Sequence, residues 1–299
     1  MTTVDVADPA VEAVVRISGR RRLLAGFARD RTTMVGAVVV TLFVLAAIFA
    51  PVLAAHDPNA ADVVQKFSPP SLDHLLGTDH LGRDVFGRLL YGARLSIGAT
   101  VATALGITIV GIVMGMLAGY LGGVVDTVIS RMIDILLAFP SFLLALALMA
   151  LLGTGLRNIM LAFVAAAWAG YARIVRGAVL AEREKVYVEA ARALGASPGR
   201  ILRRHVLPNI VAPIVVYTTL DLGFILLAIS GLSFLGLGVQ PPTPEWGAML
   251  AEARSYLGPA PNMMLFPGAA IFLTVLGFNL LGDGLRDVLD PRTRVVGTS

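Results

Sequence analysis

The 299-residue chain contains no cysteine, which removes disulfides and thiolate metal sites and says nothing further about compartment. Lysine is nearly absent as well: Lys66 follows Gln65 and Lys185 follows Glu184. A nucleotide-binding GxxxxGK[ST] loop needs a Gly-Lys pair, because the lysine must reach phosphates that the backbone cradles, so no such loop can form. Charged residues make up only 15% of the chain, and the apolar runs hold very few. An ion-coupled carrier or proton pump draws on intramembrane carboxylates or histidines. Asp221 is the clearest such group, while Asp134 and Arg173 fall near the ends of runs. One acid is thin support for ion coupling. No serine sits on a strand-turn-helix elbow. The GLSFLGLG stretch at 231–238 follows no strand and has no acidic partner, so it reads as small residues for close helix packing rather than a dinucleotide fingerprint.

What is abundant is apolar sequence. Hydrophobic residues make up 57% of the chain and its mean hydropathy is +0.80, far from the usual soluble mix. A hydrocarbon core of about 30 Å is crossed by about 20 helical residues. Six runs are long enough, near 33–53, 95–120, 133–152, 159–179, 211–235 and 263–281. The first is too long and too far from the start for a cleavable signal, and reads as a retained span. The expected fold is therefore an all-α membrane protein with six transmembrane helices.

Basic residues set the orientation. Eighteen lysines and arginines fall before the first run, between the second and third, between the fourth and fifth, or after the last; six fall on the opposite side. The positive-inside rule places both termini in the cytoplasm of a multi-pass protein of the cell's inner or plasma membrane. The net charge of +4 needs no nucleic acid to explain it; the lipid bilayer is the expected environment. The organisation that follows is a cytoplasmic segment 1–32, a first span with a proline-broken external linker over 33–76, a five-helix core over 77–290, and a cytoplasmic tail 291–299.

Residues 181–209, within that core, form a basic loop between two apolar runs. Residues 181–194 lack Gly and Pro, and Val186, Ala190 and Ala193 share one side, opposite Glu184 and Arg192. One helix is expected there. Gly195 can stop it, Ser197 can cap a second, and Pro198 suits a first helical position. Pro208 should end that second helix, since it lacks an N–H and disfavours helical geometry before it. Two short helices at an elbow make a knob. An amphipathic loop lying on anionic lipid is the plainer reading.

Other features admit two readings each. Asp221 lines a polar path or bonds a neighbouring helix. His56, His74 and His80 lie among Asp57, Asp73, Asp79 and Asp84, so a divalent metal is conceivable, although no pair has i, i+4 spacing and loop histidines are more often solvated; no metal site is assigned. GTDHLGRD at 77–84 can form a fixed turn, followed by an amphipathic surface helix with Phe86, Leu89 and Leu90. QPPTPEWG is stiffened by Pro241, Pro242 and Pro244, with Trp246 suited to the membrane interface. Both stretches frame an outer rim for a docking protein, through Asp79, Arg83, Asp84, Glu245 and Trp246, or simply pack the mouth of the bundle.

The EAA at 189–191, Gly195 four residues later and Leu207-Pro208 together resemble the cytoplasmic loop of permease subunits of bacterial ABC importers. Instead of the family's usual isoleucine, His205 stands two places before Leu207-Pro208, and the resulting HVLPN is similar to the peptide-permease branch. GTDHLGRDVFGRLLYGARLSI, SFLGLGVQPPTPEWGAML and NLLGDGLRDVLDPR resemble the C-type permease of dipeptide and oligopeptide importers, over about residues 77–292. The resemblance implies a type I importer permease fold with a cytoplasmic coupling helix, and no enzyme activity or cofactor in this chain. It implies a second homologous permease, two cytoplasmic ATPase subunits that bind ATP and Mg, and an external substrate-binding protein. The coupling residues would be Glu189, Ala190, Ala191, Ala193, Leu194, Gly195 and Ser197. Di- or oligopeptides are the expected cargo, with nickel, glutathione or haem as alternatives within the class. An ion-coupled carrier, a channel or a structural membrane partner are the rivals from other classes. Relatives carry an acid shortly before LSFLGLG where this chain has Ile229 and Ser230, so that acid's role does not transfer.

Overall fold

Asp30 opens the first helix, its carboxylate accepting from the backbone N–H groups of Thr32 and Thr33, which supplies partners for two of the orphan donors of a helix start. The computed structural model describes residues 30–289. In chain order the principal helices are α1 (Arg31–Ile48), α2 (Val85–Leu121), α3 (Gly123–Leu137), α4 (Ser141–Leu152), α5 (Leu156–Arg183), α6 (Val186–Ala193), α7 (Pro198–Phe234), α8 (Trp246–Ala253) and α9 (Asn262–Leu289). Five are long and apolar enough to cross a membrane, and α3 with α4 makes a sixth crossing if the bent pair is one span.

Expected and observed spans differ most at the third. The run 133–152 was expected as one helix, but α3 and α4 meet at 91°. Pro140, at the N-cap of α4, cannot donate a helical hydrogen bond and pushes Phe139 out of helical geometry. The amphipathic surface helix expected after the 77–84 turn is likewise not separate. Phe86, Leu89 and Leu90 lie in the first turns of α2, which spans 37 residues. At 1.5 Å per residue that is about 55 Å, well beyond a bilayer's apolar core, so its first turns stand outside.

The bundle's centre is set by small residues. Gly111, Gly115 and Gly119 form an i, i+4 stripe on α2 facing α5; a Cβ on them would stand 2.4 Å from Tyr171 Cβ, 2.6 Å from Val175 Cβ and 2.9 Å from Val179 Cβ. Their pairing partners rise in step along both chains, so α2 and α5 run parallel, backbone against side chain. Small-xxx-small stripes allow such approach where lipid supplies no hydrophobic drive between helices. Around this seam Ile107, Phe163, Met149, Ile225, Ile229 and Leu232 form a buried cluster.

α9 runs antiparallel to α1, with Gly36 against Leu280 and Gly284 against Thr33. It is also antiparallel to α7, with Gly282 against Leu220 and Gly223 against Val275 and Asn279. The start of α1 and the end of α9 therefore share the end of the bundle that carries α6. The linker and α8 occupy the other end. The N-terminal arginines before Arg31 and the tail lie outside the described residues.

Candidate functional site

At the α6 end, α5 stops at Arg183 and the chain turns over Glu184 and Lys185 into α6. Gly195 follows with φ +79°, a left-handed geometry that glycine adopts without Cβ strain. The Ala196 N–H bonds the Ala191 carbonyl (3.1 Å) and the Gly195 N–H bonds that of Arg192 (3.0 Å), the paired bonds of a Schellman stop. Pro198 takes a first-turn position of α7, as its missing N–H allows. Ser197 stands at the N-cap with extended backbone, yet its side chain makes no capping bond; the expected cap is a matter of position only.

The expected halt at Pro208 does not occur. Residues Leu202–Val206 form a π-helical stretch in which the Leu207 N–H reaches back to the Leu202 carbonyl. That widened turn carries the chain past Pro208, whose missing N–H comes in the first turn of the following helix. The second half of the loop, from Pro198, and the fifth span are thus one continuous helix, α7.

The apolar side expected on α6 faces outward. Val188 is fully buried and Ala191 partly so, packed with Val175, Val179, Ile201 and Val206, whereas Val186 is 80% and Leu194 87% exposed and Ala190 and Ala193 are also exposed. The turn at Glu184 and Lys185 rotates α6 relative to the register that periodicity alone assigns. Glu189 is exposed and its carboxylate makes no hydrogen bond or ion pair among the described residues. Together with Arg183, Arg192 and Pro198 it lines an open hollow of about 580 Å³. The knob therefore presents an apolar tip beside an uncommitted carboxylate.

Asp221 bonds a neighbouring helix, accepting from the Tyr171 hydroxyl at 2.9 Å. Tyr217 stands edge-on to Tyr171, centroids 4.7 Å apart. No cation pairs with Asp221 among the described residues.

At the opposite end, the five rim residues are buried, Glu245 and Trp246 completely. Trp246 is therefore not an interfacial anchor, and none of the five offers its side chain to a partner. Asp79 accepts from Arg83 Nε (2.6 Å), and Glu252 accepts from both Arg83 (2.6 Å) and Arg88 (3.2 Å). Asp84 caps α2 through the Gly87 N–H (2.6 Å). Glu245 caps α8 and accepts from Ser96 (2.9 Å), and the Trp246 indole donates to the Leu89 carbonyl (3.0 Å). This lattice locks the 77–84 turn and α8 onto α2. Sequence reading missed Arg88, Glu252 and Ser96; the only signal was that charged residues beside an apolar run seldom stay unpaired.

Of the three outer histidines, His74 is the one whose two nitrogens both hold hydrogen bonds among the described residues. Asp79, His80 and Glu252 come within ligating reach of one another, but both carboxylates already balance buried guanidinium groups. His80 stacks on Tyr256, and burial holds its pKa below the ordinary histidine value. His74 bonds Asp84 (3.0 Å) and Gln65 (2.8 Å) through its two nitrogens. His56, whose ring lies 4.8 Å from that of His74, comes within ligating reach of His74 and Asp84 as well, but both His74 nitrogens and the Asp84 carboxylate already hold hydrogen bonds.

Comparison with known proteins agrees with this arrangement. Residues 111–295 match the family model described as binding-protein-dependent transport system inner membrane component, and residues 20–70 match the N-terminal TM domain of oligopeptide transport permease C. The dipeptide transport system permease protein DppC of Alkalihalophilus pseudofirmus is 42% identical over 98% of this chain and 97% of its own. The glutathione transport system permease protein GsiD of Pectobacterium atrosepticum is 45% identical over 90% and 89%. Among solved structures, an inward-facing MetNI methionine ABC transporter chain superposes with a TM-score of 0.52 at 20% identity, over 67% of this chain and 95% of that one, which supports the type I importer fold. Bent third span, parallel α2–α5 seam and outward knob are thus the framework of a membrane-embedded transport subunit, and the chain belongs to the inner membrane component family of binding-protein-dependent ABC importers.

Proposed function

We propose that this chain is one of two related permeases through which an ATP-driven importer moves di- or oligopeptides, and that α6 and its glycine turn receive the work of cytoplasmic ATPases. The observation that carries this reading is the knob itself. Val186, Ala190, Ala193 and Leu194 expose apolar surface beside the free carboxylate of Glu189, in a chain without a nucleotide loop. An apolar patch rimmed by charge is a common form of protein contact, and the positive-inside count puts this end, with both termini, in the cytoplasm. Of two ATPase subunits carrying ATP and Mg beneath the permease pair, one would seat here, with Glu189 meeting a polar group and Leu194 entering a pocket. Their closure would tilt α5 and α7 as rigid bodies and alternate the opening between the two faces. An external binding protein would rest on the outer surface whose shape the lattice of Asp79, Arg83, Asp84, Glu245 and Trp246 holds.

Peptide as cargo rests on the names of the relatives, one dipeptide and one glutathione permease. Reconstituted with its second permease and binding protein, the chain is expected to take up labelled dipeptide only when the ATPases and ATP are present. Uptake by the two permeases alone would replace this reading with a carrier. Asp221 is assigned to the solute path, since an intramembrane acid without a cation partner suits a passing ammonium group. Asp221→Asn keeps an acceptor for Tyr171 and removes the charge; the uptake rate should fall about tenfold, the size of one modest charge interaction. An unchanged rate would reduce Asp221 to a helix-to-helix bond.

A further inference from the structure

The knob is joined to the bundle through a polar node that its docking surface does not include. Glu182, buried in the last turn of α5, accepts the Tyr187 hydroxyl of α6 and pairs with Lys185 at 2.7 Å. Asn209, on α7, donates from its amide to the Tyr187 hydroxyl (3.0 Å) and to the His205 carbonyl (2.6 Å). One oxygen atom thus connects α5, α6 and α7. A carboxylate at the C-terminal end of a helix opposes the helix dipole, so Glu182 adds nothing to α5 by its position alone; what it supplies is the link.

The covalent routes out of α6 are soft by comparison. On one side lies the non-helical turn at Glu184 and Lys185, on the other the Gly195 turn and then the π-helical stretch Leu202–Val206. A π stretch inside a helix is a place where register and direction adjust. A push on α6 that travelled only along the chain would be absorbed there before reaching the membrane part of α7. Asn209 sits just beyond the π stretch; its bond to Tyr187 passes from α6 to α7 around the stretch, and its bond to the His205 carbonyl ties it to the last residues of the stretch.

We infer that Tyr187 is a positioning residue of the transport cycle: its hydroxyl delivers movement of α6 to α5 through Glu182 and to α7 through Asn209, bypassing the π turn. This rests on the reading of α6 as the coupling element. Burial, and then the Glu182 bond, push the Tyr187 pKa up to about 12, so the hydroxyl keeps its proton throughout the physiological range and the node works as a fixed strut.

The test is the ratio of solute imported to ATP hydrolysed, measured per assembled complex in proteoliposomes with both permeases, the ATPases and the binding protein. Tyr187→Phe keeps the ring against His205 and removes only the bridging oxygen. The ratio should fall about tenfold, the size expected of one hydrogen bond to a charged group, and Asn209→Ala should match it. Glu182→Gln, which retains an acceptor for the hydroxyl, should keep most of the coupling. A role confined to stability would lower the yield of complex and leave the ratio untouched. Wild-type ratios in both Tyr187→Phe and Asn209→Ala, with coupling lost in a Glu189→Arg, Gly195→Trp double variant, would overturn the node while leaving the knob in place. Retained coupling in the double variant as well would overturn the knob reading itself.

Discussion

Glu252→Ala is expected to destabilise the protein by about 3–5 kcal/mol, the typical cost of removing one partner from a buried charge cluster. Glu252 accepts from Arg83 and Arg88, whose side chains are each only 2% exposed. Without it, Asp79 alone must balance two guanidinium groups, and its nearest approach to Arg88 is 3.6 Å. Arg88 would keep the carbonyls of Pro58 and Pro242, which satisfy N–H groups but not the charge. The measurement is the thermal midpoint of the detergent-solubilised protein, with Glu252→Gln as the companion that keeps shape and acceptor. A clear loss for alanine and a smaller one for glutamine is the expected pattern. Equal, small losses would mean that the lattice contributes little and that the linker is held by packing alone.

The other large effect is expected at the knob. Glu189→Arg reverses the one carboxylate on α6, which no group among the described residues engages. Gly195→Trp forces a bulky L residue into φ +79°, a geometry costing of order 1–2 kcal/mol for most side chains. Apart from its two chain neighbours, no heavy atom of the described residues lies within 4 Å of a Cβ at Gly195, so the indole would project into the space a partner must occupy rather than disturb the core. The residues packed beneath, Val188, Ile201 and Val206, are untouched. The pair should therefore spare the fold and abolish ATP-driven uptake.

Features that depend on local chemistry were legible in the sequence. Gly195 as a stop and Pro198 at a helix start follow from backbone sterics, and the spans follow from hydrophobic length. What escaped was set by partners distant in sequence or by backbone adjustments that no residue type announces. Pro208 should break a helix, and does not, because a π stretch upstream absorbs the missing donor. Val186, Ala190 and Ala193 were grouped correctly by period, but nothing local said that Val188 and Ala191 would be the buried pair. The Gly111, Gly115 and Gly119 stripe was readable in principle, yet only its fit against Tyr171, Val175 and Val179 reveals that α2 and α5 run parallel. Asp79, Arg83 and Asp84 looked like a polar rim because each is charged. The burial of Arg83, and of Asp79 paired with it, depends on Glu252, more than 160 residues away, and Asp84 is held by His74 and the Gly87 N–H. Pro140, by contrast, was a plain signal for the bend that a count of apolar residues overrode.

The central claim is that work enters this chain through α6. Its most direct test is ATP-driven import of labelled dipeptide by proteoliposomes holding the complete complex with the Glu189→Arg, Gly195→Trp chain, compared with wild type at equal amounts of assembled transporter. Import should be lost while ATP continues to be hydrolysed. Import at the wild-type rate would contradict the account and move the coupling contact elsewhere on the molecule.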